Sequence, residues 1–311
     1  MKIYNDINNV KIKNPFVTVG TFDGVHLGHQ HIFNKLKDIA KKHHGESVVI
    51  TFWPHPRMVL NHSDDQVLMI NTIDEKIELI EKQGIDHFII LPFTTEFSKL
   101  SSRDFIDTYL HKILNINGLI VGYDHRFGKD RLGNFDVLKE CAKKYNFIIE
   151  KINAFDINGE KISSTIIRNQ LLNGEVEHAN KYLSRNFALS GKVTNGYRIG
   201  RNLGFPTANV QPESPYKLIP RDGVYAVQVI VENKIYSGML NIGLRPTFNE
   251  NNNDKSIEVH IIGFDGDLYG DNIKIVFHKR IRNEMKFNSI EELVAQLKND
   301  KIQIEAYFDA P

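Results

Sequence analysis

Thr18-Val19-Gly20-Thr21-Phe22-Asp23-Gly24-Val25-His26-Leu27-Gly28-His29-Gln30 stands between a short apolar run and an amphipathic one, and its reading decides the fold of the first half. Phe16 to Val19 is β-branched and aromatic, as a strand buried on both faces is. From Gln30 to His44 the residues Ile32, Phe33, Leu36, Ile39 and Ala40 share one helical face, lysines take the other, and Gly45 stands at the C-terminal end. Glycines at 20, 24 and 28 let the chain turn tightly between strand and helix and approach a ligand closely. A helix N-terminus presents N–H groups and a partial positive charge to an anion, so the stretch is built as a phosphate site, with His26 and His29 beside it. Taken alone, His-x-Gly-His is equally a glycine-rich turn with incidental surface histidines.

Similar apolar runs recur at Val48 to Phe52, Phe88 to Leu91, Leu119 to Val121 and Phe147 to Ile149. Helices are predicted over Ile73 to Gln83, opened by the capping box Thr72-x-x-Glu75 and closed by Gly84, over Arg103 to Leu114, and from about Phe135 to Tyr145. Strands alternating with helices imply right-handed crossovers and a Rossmann-like α/β domain, a parallel sheet with helices on both faces. Ligands of such sheets bind at the C-terminal strand ends, where the opening stretch falls.

The chain has 311 residues, enough for two domains, and its 41% hydrophobic and 25% charged residues are those of a globular protein. No apolar run is long enough to span a membrane, and the start Met-Lys-Ile-Tyr-Asn-Asp is too polar for a signal peptide. Cys141 is the single cysteine, which excludes an intrachain disulfide and a cysteine-based zinc cluster. Net charge is +1 and is balanced on both sides of Leu183, so neither half offers a nucleic-acid backbone a basic field. A cytoplasmic enzyme without nucleic-acid or membrane partners is the expectation, with the oligomeric state left open between a monomer and a weak homo-oligomer.

Three later segments place polar chemistry near strand ends. Thr51-Phe52-Trp53-Pro54-His55-Pro56-Arg57 reads as a loop held extended by two prolines, with His55 either exposed or functional. Val121-Gly122-Tyr123-Asp124-His125-Arg126-Phe127-Gly128 is a glycine-bracketed loop in which Asp124 can accept protons from ribose hydroxyls. Ile162-Ser163-Ser164-Thr165-Ile166-Ile167-Arg168 puts hydroxyls at a helix start with Arg168 one turn on; these either cap the helix or, with the guanidinium, suit a polyphosphate.

His26-x-Gly28-His29 resembles the signature of the HxGH nucleotidyltransferases. Over about residues 15–175, the four segments resemble, in order and spacing, the adenylyltransferase domain of the bacterial bifunctional riboflavin kinase/FAD synthetases: GxFDGxHxGHQ, TFxPHP, VGxDFxFG and ISSTxIR. His125 departs from the aromatic residue usual in the third. The resemblance implies ATP held by Gly20, Phe22, Asp23, Gly24, His26, His29, Asp124, Ser164, Thr165 and Arg168, catalysis by His26, His29 and Arg168, and flavin contacts at Phe52, Pro54, His55 and Pro56.

After Leu172-Asn173-Gly174-Glu175 and a short helix from Val176 to Leu183, strand–helix alternation gives way to short β-rich runs: Phe187 to Ser190, Val224 to Ile230, Lys234 to Asn241, Ile257 to Ile262 and Ile273 to His278. Val231-Glu232-Asn233-Lys234 reads as a hairpin turn. The pattern implies a small antiparallel barrel, closed by a helix that starts at Ser289-x-x-Glu292 and covers one opening. The glycines of Gly191 to Asn209 permit backbone N–H groups to face phosphates, and Thr207 and Asn209 fall on one side of an extended segment, within reach of one hard cation such as Mg2+. Alternation sets Glu258 and His260 opposite Ile257, Val259 and Ile261, either as a solvated face or as a carboxylate facing a cleft.

From about Leu183 onward the chain resembles a riboflavin kinase domain, with GRxLGFPTAN at Gly200 to Asn209, GVYAV at Gly223, NIGxRPTF at Asn241, ExHI at Glu258, DLYG at Asp267 and EMKF at Glu284. By that resemblance Gly191, Lys192, Val193, Gly196, Gly200, Arg201, Gly204, Phe205, Pro206, Thr207 and Asn209 hold ATP, the last two with Mg2+. Glu258 takes the proton of the flavin's ribityl hydroxyl. Asn241, Arg245, Arg282, Glu284, Met285 and Phe287 contact the flavin. The resemblance thus implies two domains, 1–182 adenylylating FMN to FAD with release of pyrophosphate, and 183–311 phosphorylating riboflavin to FMN with release of ADP.

Overall fold

The computed structural model describes residues 1–8, 10–60, 67–123, 135–153, 155–157, 159–196, 200, 203–244 and 255–309. Two compact units divide the chain, Met1–Ser164 and Thr165–Pro311.

In the first unit, β1 (Lys2–Tyr4), β2 (Pro15–Val19), β3 (Glu46–Trp53), β4 (His87–Pro92), β5 (Gly118–Gly122) and β6 (Ile148–Ile152) form one sheet in the order β1-β4-β3-β2-β5-β6, every pair parallel. The five expected strands are all present. The edge strand β1 escaped the sequence because three residues are too few to show a period. Helices cover both faces: α1 (Leu27–Lys42) and α3 (Ile73–Glu81) bury Phe33, Leu36, Ala40 and Ile80 with Phe16, Val49 and Phe88 on one side. On the other side Phe105, Ile106, Leu110, Leu138 and Cys141 pack against Val17, Ile50 and Ile89. The chain leaves β2 toward β3 and later returns to β5 on the opposite flank, so the C-terminal ends of β2 and β5 bound a topological switch point.

Two helices differ from expectation. α1 begins at Leu27, three residues earlier than its apolar face suggests, which brings His29 into its first turn and makes His26 its N-cap. The segment after Thr95–Ser98 (α4) starts as α5 (Ser102–Phe105) and continues over Ile106–Ile113 with π-type spacing. Ile106, Leu110 and Leu114 recur every fourth residue, and the wider turn keeps them on one buried face. Asp156–Ile157 (β7) and Glu160–Lys161 (β8) add a two-stranded antiparallel pair.

The division between the units falls in the first turn of a helix over Ser164–Asn173, numbered α7 after α6 (Phe135–Tyr145), and α8 spans Val176–Leu183. The second unit is a closed antiparallel barrel of β9 (Ala188–Thr194), β10 (Ala208–Pro212), β11 (Gly223–Val231), β12 (Lys234–Leu244), β13 (Lys255–Ile261) and β14 (Asn272–Arg282), in the order β10-β13-β12-β11-β14-β9. The hairpin turn between β11 and β12 is the expected one: Glu232 and Asn233 both take positive φ, 47° and 68°, the geometry that matches strand twist. Tyr225, Ile275 and Phe277 are fully buried. The closing helix α9 (Ile290–Asp309) sets Ile304, with Leu297 and Phe308, against Phe205, Val224, Ala226 and Met239. It therefore covers a side of the wall, where the sequence reading puts it over a mouth.

Candidate active sites

The end of β2 turns through residues that only a strongly supported chain would hold there. Phe22, Gly24 and Val25 have φ of 47°, 87° and 40°, and a β-branched residue with positive φ is rare. Gly20 continues the ladder by donating its N–H to Ile50 O at 3.0 Å. The ring of Phe22 folds back over Gly20 and meets His29 edge-on and Phe33, with centroids 5.3 and 5.0 Å away. His26 and His29 stack, centroids 3.6 Å apart and planes 21° from parallel, at the start of α1. Gly28 makes room for this: a Cβ there would stand 3.2 Å from the His26 ring. The histidine pair thus lies where the helix dipole favours an anion and where the sheet's switch point opens.

The Asp23 carboxylate is 1% exposed and accepts the N–H groups of Ile70 and Asn71 at 3.0 and 3.2 Å, an internal brace of the turn. Its carbonyl accepts the Ser164 hydroxyl at 2.8 Å, which ties the start of the ISST segment to the turn. Thr165 and Arg168 follow on α7. Asp124 and His125 lie outside the described residues, as do Arg201 and Arg245.

Beyond β3, Pro56 opens a short helix, α2 (Pro56–Leu60), so the loop is extended only up to His55. His55 is buried rather than exposed, and its Nδ1 accepts the N–H of Arg57 at 3.1 Å. Phe52 is half-buried among Phe93, Phe97 and Phe105, an aromatic group at the ends of β3 and β4. Phe93 and Phe97 carried no signal in the sequence beyond their aromaticity.

In the barrel, register assembles the second site. Asn209 on β10 and Asn241 on β12 both pair with Glu258 on β13, so the carboxylate stands between two amide side-chain positions. Thr207 Oγ1 donates to Glu258 Oε2 at 3.3 Å. His260 is buried, and its Nδ1–H donates to Pro206 O at 2.9 Å, anchoring the segment that carries Thr207. Burial first, against a smaller opposing effect of that bond, holds its pKa below the ordinary value. His260 is therefore not part of a solvated face, while Glu258 is half-buried beside Thr207. Asn209 folds its amide over Gly196, where a Cβ would collide with it. Gly200 and Phe205 close a tight turn through Phe205 N–H to Gly200 O at 2.8 Å, with Gly204 at φ 81°. Gly191, Lys192 and Val193 instead belong to β9, and both backbone groups of Val193 are spent on Asp271 O and Gly270 N–H. A backbone nest from these three is not what the wall provides.

The segment after β14 is held at its root. Arg282 makes a bidentate pair with Asp300 of α9 through Nε and Nη2, at 3.0 and 2.8 Å to Oδ2, and its Nη1 donates to Asn283 O. Gln296 completes the Asp300 shell at 2.8 Å. With its guanidinium so engaged, and lying 5.8 Å from the Phe287 ring centre, Arg282 anchors the loop. Glu284 lies over Gly243, in the position a Cβ would take, and Met285 is exposed.

Comparison with known proteins gives both halves a family. The FAD synthetase model matches residues 9–166 and the riboflavin kinase model residues 183–308. A bifunctional riboflavin kinase/FMN adenylyltransferase of Buchnera aphidicola subsp. Schizaphis graminum is 40% identical over 99% of both chains. The chain belongs to the bifunctional riboflavin kinase/FMN adenylyltransferase family. Another relative of that name, from Bacillus subtilis, is 39% identical over 94% of this chain and 92% of its own. A solved Streptococcus pneumoniae structure described as a macrolide-efflux protein superposes along the whole of both chains with TM-score 0.88 and 31% identity. No described helix of this chain is long and apolar enough to cross a membrane.

Two residues of this family member escaped the sequence reading, Lys76 and Asp300. Both are charged and buried, 3% and 0% exposed. Each stands on its helix's apolar stripe, Lys76 with Ile73, Ile77 and Ile80, and Asp300 with Leu297 and Ile304. A charge at a stripe position is the signal that would have found them.

Proposed function

We propose that the second unit transfers the γ-phosphoryl group of ATP to riboflavin, giving FMN and ADP, and that the first transfers the adenylyl group of ATP to FMN, giving FAD and pyrophosphate. The observation that carries this reading is Glu258, set in register between Asn209 and Asn241 with the Thr207 hydroxyl 3.3 Å away. A primary alcohol is a weak nucleophile, and a carboxylate so placed receives its proton as the oxygen attacks the γ-phosphorus and ADP leaves.

Thr207 and Asn209 supply neutral oxygens beside a carboxylate, the donor set of a hard divalent cation, and these residues would hold Mg2+ with the nucleotide. When bound, the ion neutralises phosphate charge. Gly196 beside Asn209, and Gly200 with Phe205, receive the phosphates, and the Arg282-anchored segment over Gly243 bounds the flavin side.

In the first unit, an oxygen of the FMN phosphate attacks the α-phosphorus of ATP, and the bond to the bridging oxygen breaks. His26 and His29 stabilise charge on the transferring and bridging oxygens, aided by the start of α1, while Ser164, tied to the same turn, serves the β- and γ-phosphates. Positioning and electrostatics suffice, and no covalent enzyme intermediate is required. Phe52 with Pro54, His55 and Pro56 forms the flavin side. The functional boundary lies at 182/183, and the protein works in the cytoplasm with at most weak self-association.

Chromatography of the products from riboflavin and ATP tests the reading. FMN appearing first and FAD following bears it out. FMN accumulating without FAD would reduce the first unit to a binding module.

A further inference from the structure

Lys76 is a buried cation that reaches the opening turn. On α3 it shares the inward stripe of Ile73, Ile77 and Ile80, and its Nζ donates to the carbonyl of Thr21 at 2.8 Å. Two residues further along the same turn, the Asp23 carboxylate accepts the N–H groups of Ile70 and Asn71, just ahead of α3. That end of α3 is itself rigid. Thr72 and Glu75 form a reciprocal capping box, and Asn71 Nδ2 donates to Glu75 Oε2 at 3.1 Å. One stiff element therefore grips the turn at two points, Thr21 and Asp23, on either side of Phe22, whose φ is 47°. A strained turn persists only where its surroundings over-determine it. Thr51 Oγ1 adds a second, longer donor to the Thr21 carbonyl at 3.3 Å, and Ser164 holds the Asp23 carbonyl.

We infer that Lys76 is a positioning residue for adenylyl transfer, acting through the Thr21 carbonyl to hold the Thr21–Gly24 turn so that His26, His29 and the start of α1 present themselves to the phosphates of ATP. The inference rests on the reading of that stretch as the phosphate site. Burial lowers the Lys76 pKa to about 8, against the raising effect of Asp23, so the chain retains at this position a cation that its surroundings disfavour.

The test is steady-state kinetics of the full-length Lys76→Met variant, with FAD formation followed against ATP and against FMN. A misplaced turn raises KM for ATP about tenfold and leaves KM for FMN within about twofold of wild type. A purely structural role lowers the active fraction and moves neither KM, so a wild-type KM for ATP overturns the inference. Should Lys76→Met fail to fold, Lys76→Arg decides: it keeps a donor but cannot place it at the same point, so a raised KM for ATP supports the role and an unchanged one refutes it. His29→Ala, assayed in parallel, separates the two levels. Unaltered FAD formation in that variant would remove the site reading itself, whereas its loss, together with a wild-type KM for ATP in Lys76→Met, would remove only the role of Lys76.

Discussion

Arg282, the last residue of β14, is locked to Asp300 in the middle of α9 by a bidentate pair in which the carboxylate is fully buried. The pair fastens the closing helix to the root of the 283–287 segment. Removing one partner strands the other, so Asp300→Ala should destabilise the barrel by roughly 3 kcal/mol in urea unfolding, and Arg282→Met with Asp300→Leu should recover much of that. Equal destabilisation of single and double variants would mean that packing, and not the ion pair, is what Asp300 contributes.

The two sites should fail independently. His29→Ala is expected to lower FAD formation from FMN by about 100-fold or more while FMN formation from riboflavin continues. Glu258→Ala is expected to do the reverse, abolishing riboflavin phosphorylation and sparing the adenylylation of supplied FMN. Assaying each half-reaction separately checks both, and surviving kinase turnover in the Glu258 variant would exclude it as the base.

What the sequence disclosed and what it hid follow one physical line. Long buried runs such as Val48 to Phe52 and Phe88 to Leu91 carried the parallel sheet in plain view, because strands covered on both faces have no polar side to confuse the pattern. The His26-Gly28-His29 stretch and Glu258 were visible as polar groups at strand ends and on strand faces. What remained hidden was reach: that Asp23 points inward to Ile70 and Asn71, that Arg282 turns to Asp300, and that Lys76 crosses to Thr21. These bonds join residues 18 to 55 positions apart, and no local period encodes them.

Lys76 should also leave a mark on stability. Its folded pKa of about 8 lies below the ordinary lysine value of 10.5, so between those values the unfolded chain holds a proton that the folded chain has released. Stability contributed at this site is therefore lowest below pH 8, where the buried cation is fully charged, and rises with pH through the window. Relative to Lys76→Met, the wild type should gain roughly 2.5 kcal/mol between about pH 7 and about pH 10. Denaturant titrations of the pair at several pH values check it, and a flat or falling difference would contradict the burial cost assigned to this ammonium.

Gly196→Ala tests the kinase site without touching its charges. A methyl group there collides with the Asn209 amide, and the clash is relieved only if Asn209 swings away from its place opposite Glu258 or the backbone of the turn shifts. Both responses disturb the oxygen donors assigned to the metal–nucleotide complex. The overpacking itself should cost about 1–3 kcal/mol of barrel stability, too little to unfold a domain of ordinary stability. The kinetic loss should exceed what that implies: kcat/KM for ATP in riboflavin phosphorylation should fall about tenfold or more, with FAD formation from supplied FMN unchanged. Were kinase kinetics to survive with Asn209 displaced, as the amide resonances of that side chain would report, Asn209 would have no part in holding the nucleotide.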